Sequence, residues 1–99
     1  MGRLAVVRDG VLCCSEPEAV RLTTADILSV LLLWDPAGLG SWTGWVTATD
    51  RRWAVFLAAD LADPEVNDWL AGLPAWQPEE LTRALENPGI HQIWRRLVT

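Results

Sequence analysis

The apolar residues of this chain change their spacing once, near residue 60. Before that point, short apolar segments are separated by turn residues, which is typical of strands. Beyond it, apolar residues recur at the three- and four-residue spacing of helices. Strands followed by helices, with tight turns between the strands, predict an α+β fold built on an antiparallel sheet.

The length of the chain, 99 residues, predicts a single domain over residues 1–99. Its most apolar segment, Ile27–Trp34, is eight residues long, whereas a membrane-spanning helix needs roughly 18 or more. The N-terminal segment "MGRLAVVRDG" lacks the long apolar stretch and the cleavage site of a signal peptide. We therefore expect a cytoplasmic protein that does not enter a membrane.

About five to six strands are predicted before residue 60. Asp9-Gly10 is a turn signal between two apolar segments and predicts a hairpin. Residues 19–22 predict a short strand, residues 23–26 a turn or a single helical turn, and residues 35–40 a loop.

Ile27–Trp34 is predicted to be a central strand, with a buried helix as the alternative. Its alternation places on one face Leu28, Val30, Leu32 and Trp34. It places on the other face Ile27, Ser29, Leu31 and Leu33. Because both faces are apolar, we expect either that both are covered or that one face is left for a partner.

Three of the seven tryptophans lie in residues 41–59, "SWTGWVTATDRRWAVFLAA", which predict a hairpin. Trp42 and Trp45 are an odd number of positions apart and would point to opposite faces of a regular strand. A bulge at Gly44 would instead place both on one face. Since a small sheet cannot easily bury Trp53 as well, we expect at least one of the three to be exposed.

Two short helices and a closing strand are predicted after residue 62. Asp63 is a candidate N-cap and Pro64 the first residue of a helix. The apolar face of this helix would comprise Val66, Trp69, Leu70 and Leu73. A second helix would begin at Pro78 and bury Leu81, Ala84 and Leu85. Residues 90–97, "IHQIWRRL", predict the closing strand.

Two short motifs flank the second helix, Leu73-Pro74-Ala75-Trp76 and Trp94-Arg95-Arg96. With the order of elements over residues 20–96, they resemble a group of small, largely uncharacterised bacterial proteins that have a pleckstrin-homology-like (PH-like) antiparallel sheet and C-terminal helices. That group has a Leu-Pro-Gly-Phe type of junction, so Ala75 stands where glycine is expected. The resemblance implies a PH-like domain and, because similar-sized members are immunity or other protein-binding partners, a binding module without catalytic residues.

The residue types that catalysis needs are scarce. His91 is the single histidine, and the serines lie in no nucleophile-elbow pattern. Cys13 and Cys14 are adjacent, so on a strand they would point to opposite faces and remain unbridged in a reducing compartment. We expect no enzyme activity, no metal and no cofactor; a small hydrolase-like enzyme is the least favoured interpretation.

The charge of the chain is acidic, with a formal net value of −5, and all eight basic residues are arginine. This balance disfavours nucleic acid and anionic membranes as partners. Between Trp53 and Thr82 there is no basic residue but six acidic ones, Asp60, Asp63, Asp68, Glu65, Glu79 and Glu80. Four of these would stand in the first turns of helices, where carboxylates favour the backbone dipole. The alternative is an acidic surface that docks a basic protein.

Together these patterns predict a non-catalytic protein-binding module of immunity or adaptor type, with another protein, expected to be basic, as its partner. The predicted partner-binding residues are three tryptophans and three acids, Trp42, Trp45, Trp53, Asp60, Asp63 and Asp68. The alternative function is a homo-oligomeric structural protein whose apolar sheet face associates with itself.

Overall fold

A computed structural model describes residues 4–34 and 42–97, which form seven strands and two helices. The strands are β1 (Ala5–Arg8), β2 (Val11–Cys14), β3 (Val20–Leu22), β4 (Ile27–Trp34), β5 (Trp42–Ala48), β6 (Trp53–Leu57) and β7 (Gly89–Arg95). The helices are α1 (Pro64–Ala71) and α2 (Pro78–Glu86). The α+β prediction is confirmed, but the strands form two antiparallel sheets of three and four rather than one sheet of five or six. The loop predicted over residues 35–40 lies outside the described residues.

The three-stranded sheet has the order β1-β2-β3. Asp9 and Gly10 connect its first two strands with φ angles of 53° and 76°, the positive values that a two-residue hairpin turn needs. The predicted hairpin is therefore confirmed. Its register pairs Val6 with Cys13, and Cys13 in turn with Arg21, so these three side chains share one face.

The four-stranded sheet has the order β6-β5-β4-β7, so β4 is an inner strand, as predicted. Its pairing with β5 shifts between Ile27 and Ser29. This bulge turns Ile27 to the same side as Val30, and both are fully buried. The prediction that Ile27 lies on the face opposite Val30 is wrong because strict alternation does not hold through a bulge.

The core lies between the two sheets and is closed by the helices. Asp63 caps α1 as predicted, since its carboxylate accepts a hydrogen bond from the Glu65 amide at 2.9 Å. The predicted apolar face of this helix is confirmed in full, with Val66, Trp69, Leu70 and Leu73 all buried. In α2, Ala84 is buried and Leu81 half-buried, but Leu85 is exposed, so the predicted stripe was one residue too wide.

The junction between the helices places Ala75 at φ 58°, in the left-handed region that glycine adopts more readily. Glycine would adopt this conformation at a lower cost than alanine.

Residues after the second helix return to the start of β4. β7 pairs with β4, which confirms the closing strand. Arg96 then ties the two segments together, because its Nε donates to the Ile27 carbonyl and its Nη2 to the Thr24 carbonyl, both at 2.8 Å. Its guanidinium also lies 5.4 Å from the centroid of the Trp94 ring, within reach of a cation–π interaction.

Candidate functional site

The face of the four-stranded sheet that points away from the core is open. Its residues follow from the register as three rows that cross all four strands. They are Arg95, Ser29, Thr47 and Trp53; Gln92, Leu31, Trp45 and Val55; and Ile90, Leu33, Thr43 and Leu57. None of these twelve residues is buried, and seven are apolar. We call this surface the outer face.

The opposite face of the same sheet is closed. Val30, Leu32, Val46, Ala54 and Phe56 on that side are at most 2% exposed and belong to the core. Within residues 4–34 and 42–97, one side of the sheet is packed by the other elements and the opposite side is not. An exposed apolar sheet face of this kind marks an interaction surface more often than a free one.

A pair of stacked tryptophans lies on the outer face, with Trp45 in the middle row and Trp53 on the edge strand β6. Trp45 and Trp53 lie on neighbouring strands, their ring centroids are 5.5 Å apart and their planes differ by 11°. Each remains substantially exposed, at 39% and 43%. The two rings restrict one another's rotation, so they present a broad aromatic surface whose conformation is already fixed.

Trp42 does not join this pair. The register of β5 is regular from Trp42 to Thr47, so there is no bulge at Gly44 and Trp42 points to the core side. There it is half-buried, packs against the core and lies 6.3 Å from the His91 ring. Gly44 meets a different requirement, because the Phe56 ring occupies the space that a side chain at position 44 would fill.

Asp60 is fully buried. Its Oδ2 accepts hydrogen bonds from the amide of Leu57 at 2.8 Å and from the amide of Leu4 at 3.4 Å. The carboxylate thereby joins the entry to β1 with the end of β6. Asp60 has the environment of a structural residue, and it is not part of an exposed acidic rim.

Asp63 precedes α1 and Asp68 lies on it, and this helix packs against β1 and β2 of the three-stranded sheet. Asp63 is half-buried and is the N-cap already described, while Asp68 is exposed. Asp68 lines a shallow groove of about 350 Å³ together with Asp9 and Glu65. The six predicted binding residues therefore do not form one surface: the structure unites Trp45 with Trp53 and places the others elsewhere.

The remaining chemically capable groups are dispersed. The Nε2 of His91 lies 3.0 Å from the carbonyl oxygen of Asn87. Cys13 and Cys14 are free and point to opposite sides of β2, as predicted. Over the described ranges, 4–34 and 42–97, no three His, Cys, Asp or Glu side chains are grouped closely enough to hold a metal ion. No helix in those ranges has the length and apolarity to cross a membrane.

The two thiols are expected to differ in reactivity. Burial, with smaller contributions from the charges of Asp60 and Cys13, raises the pKa of Cys14 to about 12. Cys13 is half-buried on the outside of the sheet. In mildly alkaline buffer we expect a neutral disulfide reagent to modify Cys13 in the native protein and Cys14 only after unfolding. Two thiols that react at equal rates without denaturant would contradict this environment for Cys14.

The same pKa shift predicts how stability changes with pH. The neutral Cys14 thiol contributes fully to the free energy of unfolding below pH 9.0, the pKa of this thiol in the unfolded chain. The contribution is lost as the pH rises toward about 12, because the thiol of the unfolded chain ionises first. The chain contains no tyrosine and no lysine, so few other side chains titrate in this window. Urea unfolding between these pH values should show declining stability, and Cys14→Ala should flatten the decline.

Sequence reasoning did not identify the apolar residues that surround the tryptophan pair, namely Leu31, Leu33, Val55 and Ile90. Ile90 is the most exposed of these, at 71%. The alternation of β4 places Leu31 and Leu33 together on one of its two apolar faces, without showing which face is covered, and this was the available signal. The sequence did not indicate that β4 pairs with β7, and this pairing brings Ile90 beside Leu33.

The chain matches no protein-family model, and neither the curated proteins nor the solved structures contain a match to it. The functional argument therefore depends on the geometry of the outer face and on the distribution of charge.

Proposed function

We propose that this protein is a non-catalytic binding module of immunity or adaptor type that covers a surface of another protein with its outer face. The observation that carries the proposal is the exposed stack of Trp45 and Trp53 on an apolar sheet face that the described residues leave uncovered. Tryptophans at the centre of an interface contribute disproportionately to binding energy. Because the stack holds both rings in place, less side-chain entropy is lost on association.

We further propose that the partner is basic overall. The net charge of −5 favours encounter with a basic protein. Asp68 is exposed on α1 and belongs to none of the three rows of the outer face. It would therefore act by long-range attraction, which raises the association rate, while the outer face makes the contact. The two free thiols support the cytoplasmic location expected from the sequence.

The PH-like resemblance is retained as part of this proposal. Antiparallel sheets followed by two helices support it. The left-handed backbone at Ala75, where the resembling proteins have glycine, is a second supporting detail.

The experiment that tests the proposal isolates a partner from native lysate and then measures its affinity for variants in purified form. Trp45→Thr should weaken binding by about 30-fold or more, as for a hot-spot residue, and Trp53→Thr should act in the same direction. Loss of the ring stack should lower the free energy of unfolding by only about 1 kcal/mol. Leu85→Ala, which removes a comparably exposed apolar side chain on α2, is the matched control.

A purified partner that binds both tryptophan variants as tightly as the unmodified protein would overturn the proposal. The second candidate function, a homo-oligomer that pairs outer faces, is favoured by the same apolar surface. It would be indicated by a concentration-dependent dimer in light scattering that Trp45→Thr dissociates. The single charged residue in the three rows is Arg95, so self-pairing would offer no opposite charge from within the face, and we rank it second.

A further inference from the structure

The outside of the three-stranded sheet contains a second surface, of different chemistry from the outer face. A groove of about 710 Å³ runs across it. Its apolar residues on the same face as Cys13 include Leu4 and Val6, and the Cys13 thiol lies beside Val6. Three arginines, Arg8, Arg21 and Arg52, also line it, and no carboxylate of the described residues does.

Arg52 is held in place by groups of the protein itself. Its Nε lies 2.7 Å from the Asp50 carboxylate, and its Nη1 donates to the Arg21 carbonyl at 3.0 Å. The Nη2 is 3.8 Å from the carboxylate of Asp26. These carboxylates offset much of the Arg52 charge, so this side chain shapes the groove rather than supplying its free charge.

Arg8 and Arg21 are different. Both are exposed, and the side chain of neither forms an ion pair or hydrogen bond with a described residue. The carboxylates nearest to the groove in sequence, Asp9, Glu16 and Glu18, are exposed and do not line it. Two free guanidinium groups therefore flank an apolar floor.

The register fixes how far apart these two arginines stand. Val6, Cys13 and Arg21 lie in one row across the sheet, and Arg8 is two residues along β1 from Val6. Strand spacing and rise per residue then place the Cα atoms of Arg8 and Arg21 about 12 Å apart. In an extended peptide, residues four positions apart are separated by about 13 Å and point to the same side.

We propose that this groove binds an extended acidic peptide segment in which two carboxylates flank one apolar side chain. The carboxylates would pair with Arg8 and Arg21, whose planar guanidinium groups suit carboxylate geometry. The apolar side chain between them would lie over Val6. This site is independent of the outer face and would give the module a second, oppositely charged contact.

Cys13 provides a reporter within the groove. The probe is a blocked pentapeptide, Asp-Ser-Leu-Ser-Glu, and the measurement is protection of Cys13 from dithiodipyridine, a neutral disulfide. Cys14 also borders the groove, but it is only 4% exposed, so the reagent reaches Cys13 first. We expect half-protection at a concentration about fivefold higher for Arg8→Gln and for Arg21→Gln. Added salt should weaken protection, since the pairs are solvent-exposed.

Two controls keep the test specific. Arg83→Gln removes an equal charge from α2, outside both the groove and the outer face, and should leave protection unchanged. The neutral peptide Asn-Ser-Leu-Ser-Gln should not protect. Equal protection of all variants, or none at millimolar peptide, would overturn the proposal. Inorganic phosphate or a short oligonucleotide that protects better than the peptide would overturn the peptide as occupant. Because the outer face is untouched, failure here would leave the proposed function standing.

Discussion

Gly44→Ala is expected to lower the free energy of unfolding by about 3 kcal/mol, at the upper end of the usual cost of overpacking a core. An added Cβ at this position would lie 2.0 Å from the Cζ of Phe56 and within 2.3 Å of two further ring atoms. The ring cannot move aside cheaply, because Phe56 is 2% exposed and packed in the core. Urea denaturation monitored by circular dichroism measures the loss.

A second substitution tests the cause of that loss. Phe56→Leu alone should destabilise the protein, but in combination with Gly44→Ala it should recover part of the cost, since the shorter side chain leaves room for the Cβ. The two changes should therefore be non-additive by at least about 1 kcal/mol. Gly72→Ala, where the nearest atom is 3.2 Å from the added carbon, is the matched control. A Gly44→Ala protein as stable as the unmodified one would mean that Phe56 does not fill this space.

Asp60→Ala should also be strongly destabilising, by about 3 kcal/mol, while the equivalent change at Asp68 should have almost no effect. The alanine leaves the partly buried amides of Leu4 and Leu57 without this acceptor, and an unsatisfied buried group costs about 1–3 kcal/mol. Asp68 is exposed on α1, so its carboxylate contributes little to the free energy of unfolding. Thermal and urea unfolding of the two variants provide the comparison.

The same pair of variants separates structure from binding. If Asp60 acted as a contact residue, Asp60→Ala would weaken partner binding without changing stability. The fold predicts instead that Asp60→Ala lowers the free energy of unfolding. Asp68→Ala should keep its stability and reduce the association rate with a basic partner at low salt. A stable Asp60→Ala protein would contradict the burial of this carboxylate.

Much of the architecture could be predicted because local signals agreed with one another. The Asp9-Gly10 turn, the apolar face of α1 and its cap at Asp63 each depend on residues within a few positions, and each was found. The Trp45–Trp53 stack could also have been predicted from local signals, because both residues lie on one hairpin.

The features that could not be predicted depend on contacts between distant parts of the chain. Asp60 lies in an acidic stretch, and this pattern is typical of a surface residue. Its burial is accompanied by hydrogen bonds from the amide of Leu57 and from the amide of Leu4, which is 56 positions away. No turn residue in the sequence indicates the bulge at the start of β4. The arginine groove draws its residues from three strands and a turn, so no segment contains its pattern.

The position of β7 beside β4 also has a consequence for synthesis. About 55 residues separate the end of one strand from the start of the other. At roughly 5–20 residues per second, a ribosome needs about 3–11 s to make that interval. During this time β4 has no neighbouring strand on one edge, because β7 has not yet been synthesised. The nascent chain therefore has an unpaired edge on β4 that can associate with other chains, until β7 is synthesised and pairs with it.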